Sequence, residues 1–72
     1  MVKSKYSIIA ELLVKLKGKR LPIFFISDVT GLSIADVDQV IGRFNEYGYT
    51  VQLEDELISV NQDSLNILQE KY

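Results

Sequence analysis

The chain has 72 residues, room for a single domain spanning residues 1–72 and no second one, since domains usually hold about 100 to 200 residues. Hydrophobic residues make up 47% and charged ones 25%, which fits a folded protein and excludes the apolar-poor composition of disordered chains. The sequence has no Cys and no His, so disulfides are excluded and the commonest zinc, iron–sulfur and haem ligands are missing.

The formal charge of −2 conceals a split. Residues 1–20 set Lys3, Lys5, Lys15, Lys17, Lys19 and Arg20 against Glu11, six cations to one anion, or +5. Residues 21–72 set two cations, Arg43 and Lys71, against nine carboxylates, or −7. A polyanion therefore meets a favourable field on one side only. The start, Met1 to Lys5 followed by Tyr6 to Val14, is interrupted by Glu11 and lacks a small-x-small cleavage site, so it reads as mature protein. The longest apolar run, Leu21 to Ile26, is far short of the roughly 20 residues a membrane span needs. The expectation is a cytoplasmic protein without a membrane partner.

In chain order, Tyr6, Ile9, Leu12, Leu13 and Leu16 line one face of a helix from Ser4 to Lys17, which Gly18 stops. Leu21-Pro22-Ile23 forms a brief edge strand, because Pro22 has no amide to donate. A short second helix runs from about Phe24 to before Gly31, with Phe25, Ile26 and Val29 as its core stripe and Phe24 left off it. After the turn Gly31-Leu32-Ser33, Ser33 caps a third helix and Asp36 supplies the weaker, Asp version of a capping box. Ile34, Val37, Val40, Ile41, Phe44 and Tyr47 make its apolar stripe, and Gly48 ends it.

The period then changes to two. Tyr49, Val51 and Leu53 alternate with polar residues, and Ile58 and Val60 return, which predicts a hairpin. With Asp55-Glu56 as the loop, Leu53 opposes Ile58 and Val51 opposes Val60, all on one face. From Asp63 a last helix carries Leu65, Leu68 and Tyr72 along one side, to pack on the first helix or on a second copy of the chain.

Helix, short strand, helix, turn, helix, hairpin and helix is the order of a winged helix-turn-helix: α+β, mainly α, with a three-helix core, a hairpin wing and a C-terminal helix. The segment Ile26-Ser27-Asp28-Val29-Thr30-Gly31-Leu32-Ser33 resembles the apolar-small-x-x-x-Gly-apolar-Ser turn of that superfamily. Gly48-Tyr49-Thr50-Val51 with Leu57-Ile58-Ser59-Val60 resembles the wing of bacterial and archaeal regulators such as the N-terminal domain of the biotin repressor. The resemblance covers nearly the whole chain. It implies that exposed residues early in the third helix meet base edges while the wing holds phosphates.

The charges depart from that pattern. Ala35, Asp36, Asp38, Gln39, Gly42, Arg43 and Glu46 face away from the core stripe, and of these Gln39 and Arg43 alone suit adenine and guanine edges. The wing tip, Glu54-Asp55-Glu56, is acidic and repels phosphate. The leading expectation is therefore a module that docks a protein partner within a regulatory or DNA-processing assembly. Its candidate contacts are Phe24, Asp38, Gly42, Glu46, Glu54, Asp55 and Glu56. Gly42 enters because glycine inside a helix costs roughly 1 kcal/mol relative to Ala, which either close approach by another molecule or mere tolerance explains.

The alternative is a small DNA-binding transcriptional regulator acting as a homodimer, in which Gln39 and Arg43 enter a groove and Lys15, Lys17, Lys19 and Arg20 meet phosphates, although cations at a helix end also simply complement its dipole. Catalysis is not expected. The chain offers neither His nor Cys as base or nucleophile and no phosphate-cradling loop, and its carboxylate pairs two residues apart do not face together on a helix. No cofactor or metal is expected either.

Overall fold

The computed structural model describes residues 4–17, 19–54 and 57–72. Its elements are α1 (Lys5–Lys15), β1 (Leu21–Pro22), α2 (Ile23–Thr30), α3 (Ile34–Glu46), β2 (Thr50–Gln52), β3 (Leu57–Val60), a 3-10 turn (Gln62–Ser64) and α4 (Leu65–Lys71). Three helices, a hairpin after the third and a closing helix give a mainly α, α+β fold with the layout of a winged helix-turn-helix. No helix among the described residues is long and apolar enough to cross a membrane.

Ser4 opens α1 by accepting the Ser7 N–H on its side chain at 3.2 Å. The helix ends at Lys15, two residues before the Lys17 expected. Gly18, the anticipated stop, lies outside the described residues, and the chain has already reversed at Lys17, whose φ is 53°. Lys17 N–H donates to the Val14 carbonyl, satisfying one of the orphan acceptors of the last turn.

Pro22, fixed near φ −69° and extended, delivers Ile23 directly into α2, so this helix starts one residue early. That shift selects a different buried face. Ile23 and Ile26, three apart, point into the core, while Phe25 and Val29, expected on the core stripe, remain 40% and 54% exposed. An eight-residue helix has only one narrow side to give to its neighbours, and these isoleucines occupy it. Gly31 ends α2 with φ 77°, a conformation that suits glycine, and its N–H donates to the Ser27 carbonyl at 2.9 Å. Side chains tie the turn together: Ser27 donates to the Leu32 carbonyl at 2.5 Å and Thr30 donates to the Ile26 carbonyl at 2.6 Å.

Ser33 caps α3 as expected, accepting the Asp36 N–H at 3.1 Å. The Asp36 carboxylate pairs with Lys5 of α1, so the acidic residue of the cap joins two helices. Val37, Val40, Ile41 and Phe44 are buried, whereas both ends of the expected stripe, Ile34 and Tyr47, are exposed. Phe44 occupies the centre, with the rings of Tyr6, Tyr49 and Tyr72 at centroid distances of 6.1, 5.8 and 5.8 Å.

The sheet has the order β1-β3-β2, antiparallel throughout. As anticipated, β1 is a brief edge strand, and it pairs Leu21 with Ile58. The hairpin differs from expectation by one residue: Thr50 faces Val60, Val51 faces Ser59 and Gln52 faces Ile58. The exit from α3 sets this register. Tyr49 N–H donates to the Phe44 carbonyl at 2.9 Å, and the buried Thr50 hydroxyl donates to the side-chain oxygen of Asn45. Thr50 thus takes the inward position and Val51 is turned out.

Leu68 of α4 is buried and the helix packs on α1, the intramolecular arrangement of the two anticipated. Ile9, Ala10 and Leu13 of α1, the α2 and α3 residues above, and Leu21, Ile58 and Val60 of the sheet complete one core. Every buried side-chain polar atom among the described residues has a hydrogen-bond partner.

Candidate functional site: the exposed face of α3 and the wing

The core stripe of α3 leaves its opposite side to solvent, where Ala35, Asp38, Gln39, Gly42, Arg43 and Glu46 are all exposed. Asp38, Gly42 and Glu46 follow one another at four-residue intervals and form one row. Gln39 and Arg43 form the row beside it. The five α3 residues singled out from the sequence therefore share one surface.

The two rows are occupied differently. Lys5 reaches across from α1, its Nζ 3.3 Å from Asp36 Oδ1, and it also donates to the Gln39 side-chain oxygen. Arg43 Nη1 lies 3.7 Å from Glu46 Oε2 one turn on, with both side chains more than half exposed. The amide and the guanidinium best suited to base edges are thus both engaged within the chain. An exposed pair such as Arg43–Glu46 is worth about 0 to 1 kcal/mol, so it biases the arginine without locking it. Asp38 forms no ion pair among the described residues.

Gly42 sits in open space, where an added Cβ would meet nothing within 4 Å. Among the described residues, nothing makes the close approach that would justify a helical glycine. It leaves a low point between Asp38 and Glu46.

The other candidates fall elsewhere. Glu54, at the wing, is exposed; Asp55 and Glu56 lie outside the described residues, as does Lys3 of the basic segment. Arg20 lines a shallow cleft with Gln52, Leu53, Glu54 and Leu57, which brings one cation to the base of the wing. Lys15 lines clefts beside α2 and α4, and Lys17 and Lys19 are exposed in the α1–β1 connection. Phe24 is 58% exposed on α2. The fold thus gathers Asp38, Gln39, Gly42, Arg43 and Glu46 on α3, with Arg20 and Glu54 at the wing and Phe24 on a separate helix.

Lys5 was legible only as part of a basic segment, because nothing local relates it to residues 31 and 34 positions further on. Its partners depend on the crossing of α1 and α3. Among the described residues, no cluster of three or more His, Cys, Asp or Glu side chains is placed to hold a metal ion. Searches of protein-family models, curated proteins and solved structures find no match to this chain.

Proposed function

We propose that this is a cytoplasmic, non-catalytic winged-helix module, similar to small bacterial and archaeal regulator domains, that docks a protein partner within a regulatory or DNA-processing assembly. The surface used is the exposed face of α3 with the adjoining wing. The observation that carries the reading is the occupancy of that face: Gln39 is held by Lys5 and Arg43 lies beside Glu46, while Asp38 and Glu46 flank the open Gly42. Three carboxylates, Asp36, Asp38 and Glu46, stand on α3 against Arg43 and the Lys5 that reaches across from α1, a net negative charge that disfavours phosphate and favours a basic protein surface. The low point at Gly42 admits close contact to the helix backbone.

A second reading, a dimeric DNA-binding regulator, draws support from Arg20 beside the wing strands and from the exposed Lys15, Lys17 and Lys19. A fluorescence-anisotropy titration with mixed-sequence duplex DNA, at low and at physiological salt, separates the two. Protein docking predicts no appreciable binding even at low salt. Micromolar or tighter binding with a steep salt slope overturns it and favours groove entry by Gln39 and Arg43. The companion test reverses Asp38 and Glu46 to Lys in a folded protein, which should abolish capture of a basic partner.

A further inference from the structure

The ammonium of Lys71 in α4 lies over two tyrosine rings, its Nζ 5.4 Å from the centroid of Tyr47 and 5.7 Å from that of Tyr72. Both distances fall within the roughly 6 Å over which a ring face attracts a cation. Among the described residues, no ion pair engages Lys71. The two rings therefore supply the attraction that seats it.

These rings are fixed from behind. Tyr72 packs on the buried Phe44 at 5.8 Å, Tyr47 packs on Tyr49 at 5.5 Å, and Tyr49 in turn packs on Phe44 at 5.8 Å. Tyr47 closes α3 and Tyr72 closes α4, so two helix ends distant in sequence build one place for a cation. It is open to solvent, since Tyr47 remains 52% and Tyr72 36% exposed. The exposed Glu46, directly before Tyr47 in the chain, sets a carboxylate at the same end of the α3 face.

We propose that Tyr47 and Tyr72 form a receptor for a lysine side chain of the protein partner, and that Lys71 occupies it until that partner docks. The seated ammonium identifies the ligand chemistry. A cation held only by half-exposed ring faces is weakly held and, on its flexible four-carbon stem, swings aside at little cost. The receptor extends the acidic α3 face at its C-terminal end, and its delivery by a basic partner rests on the docking reading of that face. Its affinity for a lysine side chain does not.

The test uses the full chain with Nα-acetyl-lysine amide as the probe and the neutral Nα-acetyl-norleucine amide as control, read by NMR of the tyrosine ring signals. In Lys71→Ala, which vacates the receptor, the lysine probe should shift the Tyr47 and Tyr72 signals saturably and the control should not. The wild type should bind the probe about two- to fivefold more weakly, because Lys71 competes for the same rings. Tyr47→Leu in the Lys71→Ala background should abolish the response, with far-UV circular dichroism confirming the fold of each variant. Silent tyrosine signals in Lys71→Ala, an equal response to the control, or equal affinity with and without Lys71 would overturn the proposal. Asp38→Lys should leave probe binding unchanged, so loss of partner capture in that variant and loss of the probe response in Tyr47→Leu report on the α3 face and on the receptor separately.

Discussion

Lys5 in the first turn of α1 and Asp36 in the first turn of α3 are joined by an ion pair of 3.3 Å. The same ammonium donates to Gln39 one turn further along α3, so a single cation ties the helix crossing and occupies the amide of the candidate recognition surface. Both side chains of the pair keep substantial solvent contact, which limits its worth to about 1 kcal/mol. Lys5→Met should therefore lower the unfolding free energy by about 0.5 to 1 kcal/mol, read as a small fall in the urea midpoint at unchanged slope. The same variant releases Gln39. If groove reading were the function, DNA affinity would survive the loss of this cation through the freed amide, whereas protein docking predicts no DNA binding in either form.

Gly42 offers a test in which stability and function move in opposite directions. A methyl group there meets nothing within 4 Å, so Gly42→Ala gains helix propensity without a clash. The expected stabilisation is about 0.5 to 1 kcal/mol, measured as a raised thermal midpoint. Capture of a protein partner should fall at the same time, because the added methyl fills the low point between Asp38 and Glu46. Stabilisation with undiminished partner binding would remove Gly42 from the interface.

Lys17 turns the chain after α1 with φ 53°, the left-handed region that costs a non-glycine residue about 1 to 2 kcal/mol. Lys17→Gly relieves this strain, partly offset by the greater freedom glycine has when unfolded. A net gain of about 0.5 kcal/mol in equilibrium unfolding is expected. Lys17→Ala, which keeps the side-chain penalty, should gain nothing, and equal behaviour of the two variants would contradict the strain argument.

Phe44 is fully buried, and rings from α1, the start of the wing and the C-terminus all pack on it. Truncating such a residue to Ala costs about 3 to 5 kcal/mol, which matches the whole stability a core of this size supplies. Phe44→Ala should leave the chain largely unfolded at 25 °C by near-UV circular dichroism. Phe44→Leu, which retains most of the apolar volume, should fold with a lowered midpoint.

Much of the architecture was legible in local signals. The Ser33 cap, the glycine at position 31, the three-and-four spacing of Val37, Val40, Ile41 and Phe44, and the change to period two after Gly48 are all short-range, and each produced the element or turn it announced. The clustering of Asp38, Gln39, Gly42, Arg43 and Glu46 on one face followed from the same helical period. The chemistry of that face was less legible, because Lys5 meets Asp36 and Gln39 only through the crossing of two helices.

By itself, the sequence determined the order of the elements, the apolar stripe of the third helix and the split of charge between its N-terminal segment and the rest. Tertiary structure decided which side of each short element is buried. For α2, Pro22 advanced the helix start and Ile23 took the place that Phe25 and Val29 were expected to fill. In β2, hydrogen bonds at the end of α3 set Thr50 inward and shifted the hairpin register by one residue. Both outcomes have the same physical cause. An eight-residue helix and a three-residue strand contain too few repeats for hydrophobic period to fix their orientation, so the flanking backbone bonds and the space left by the longer helices decide it.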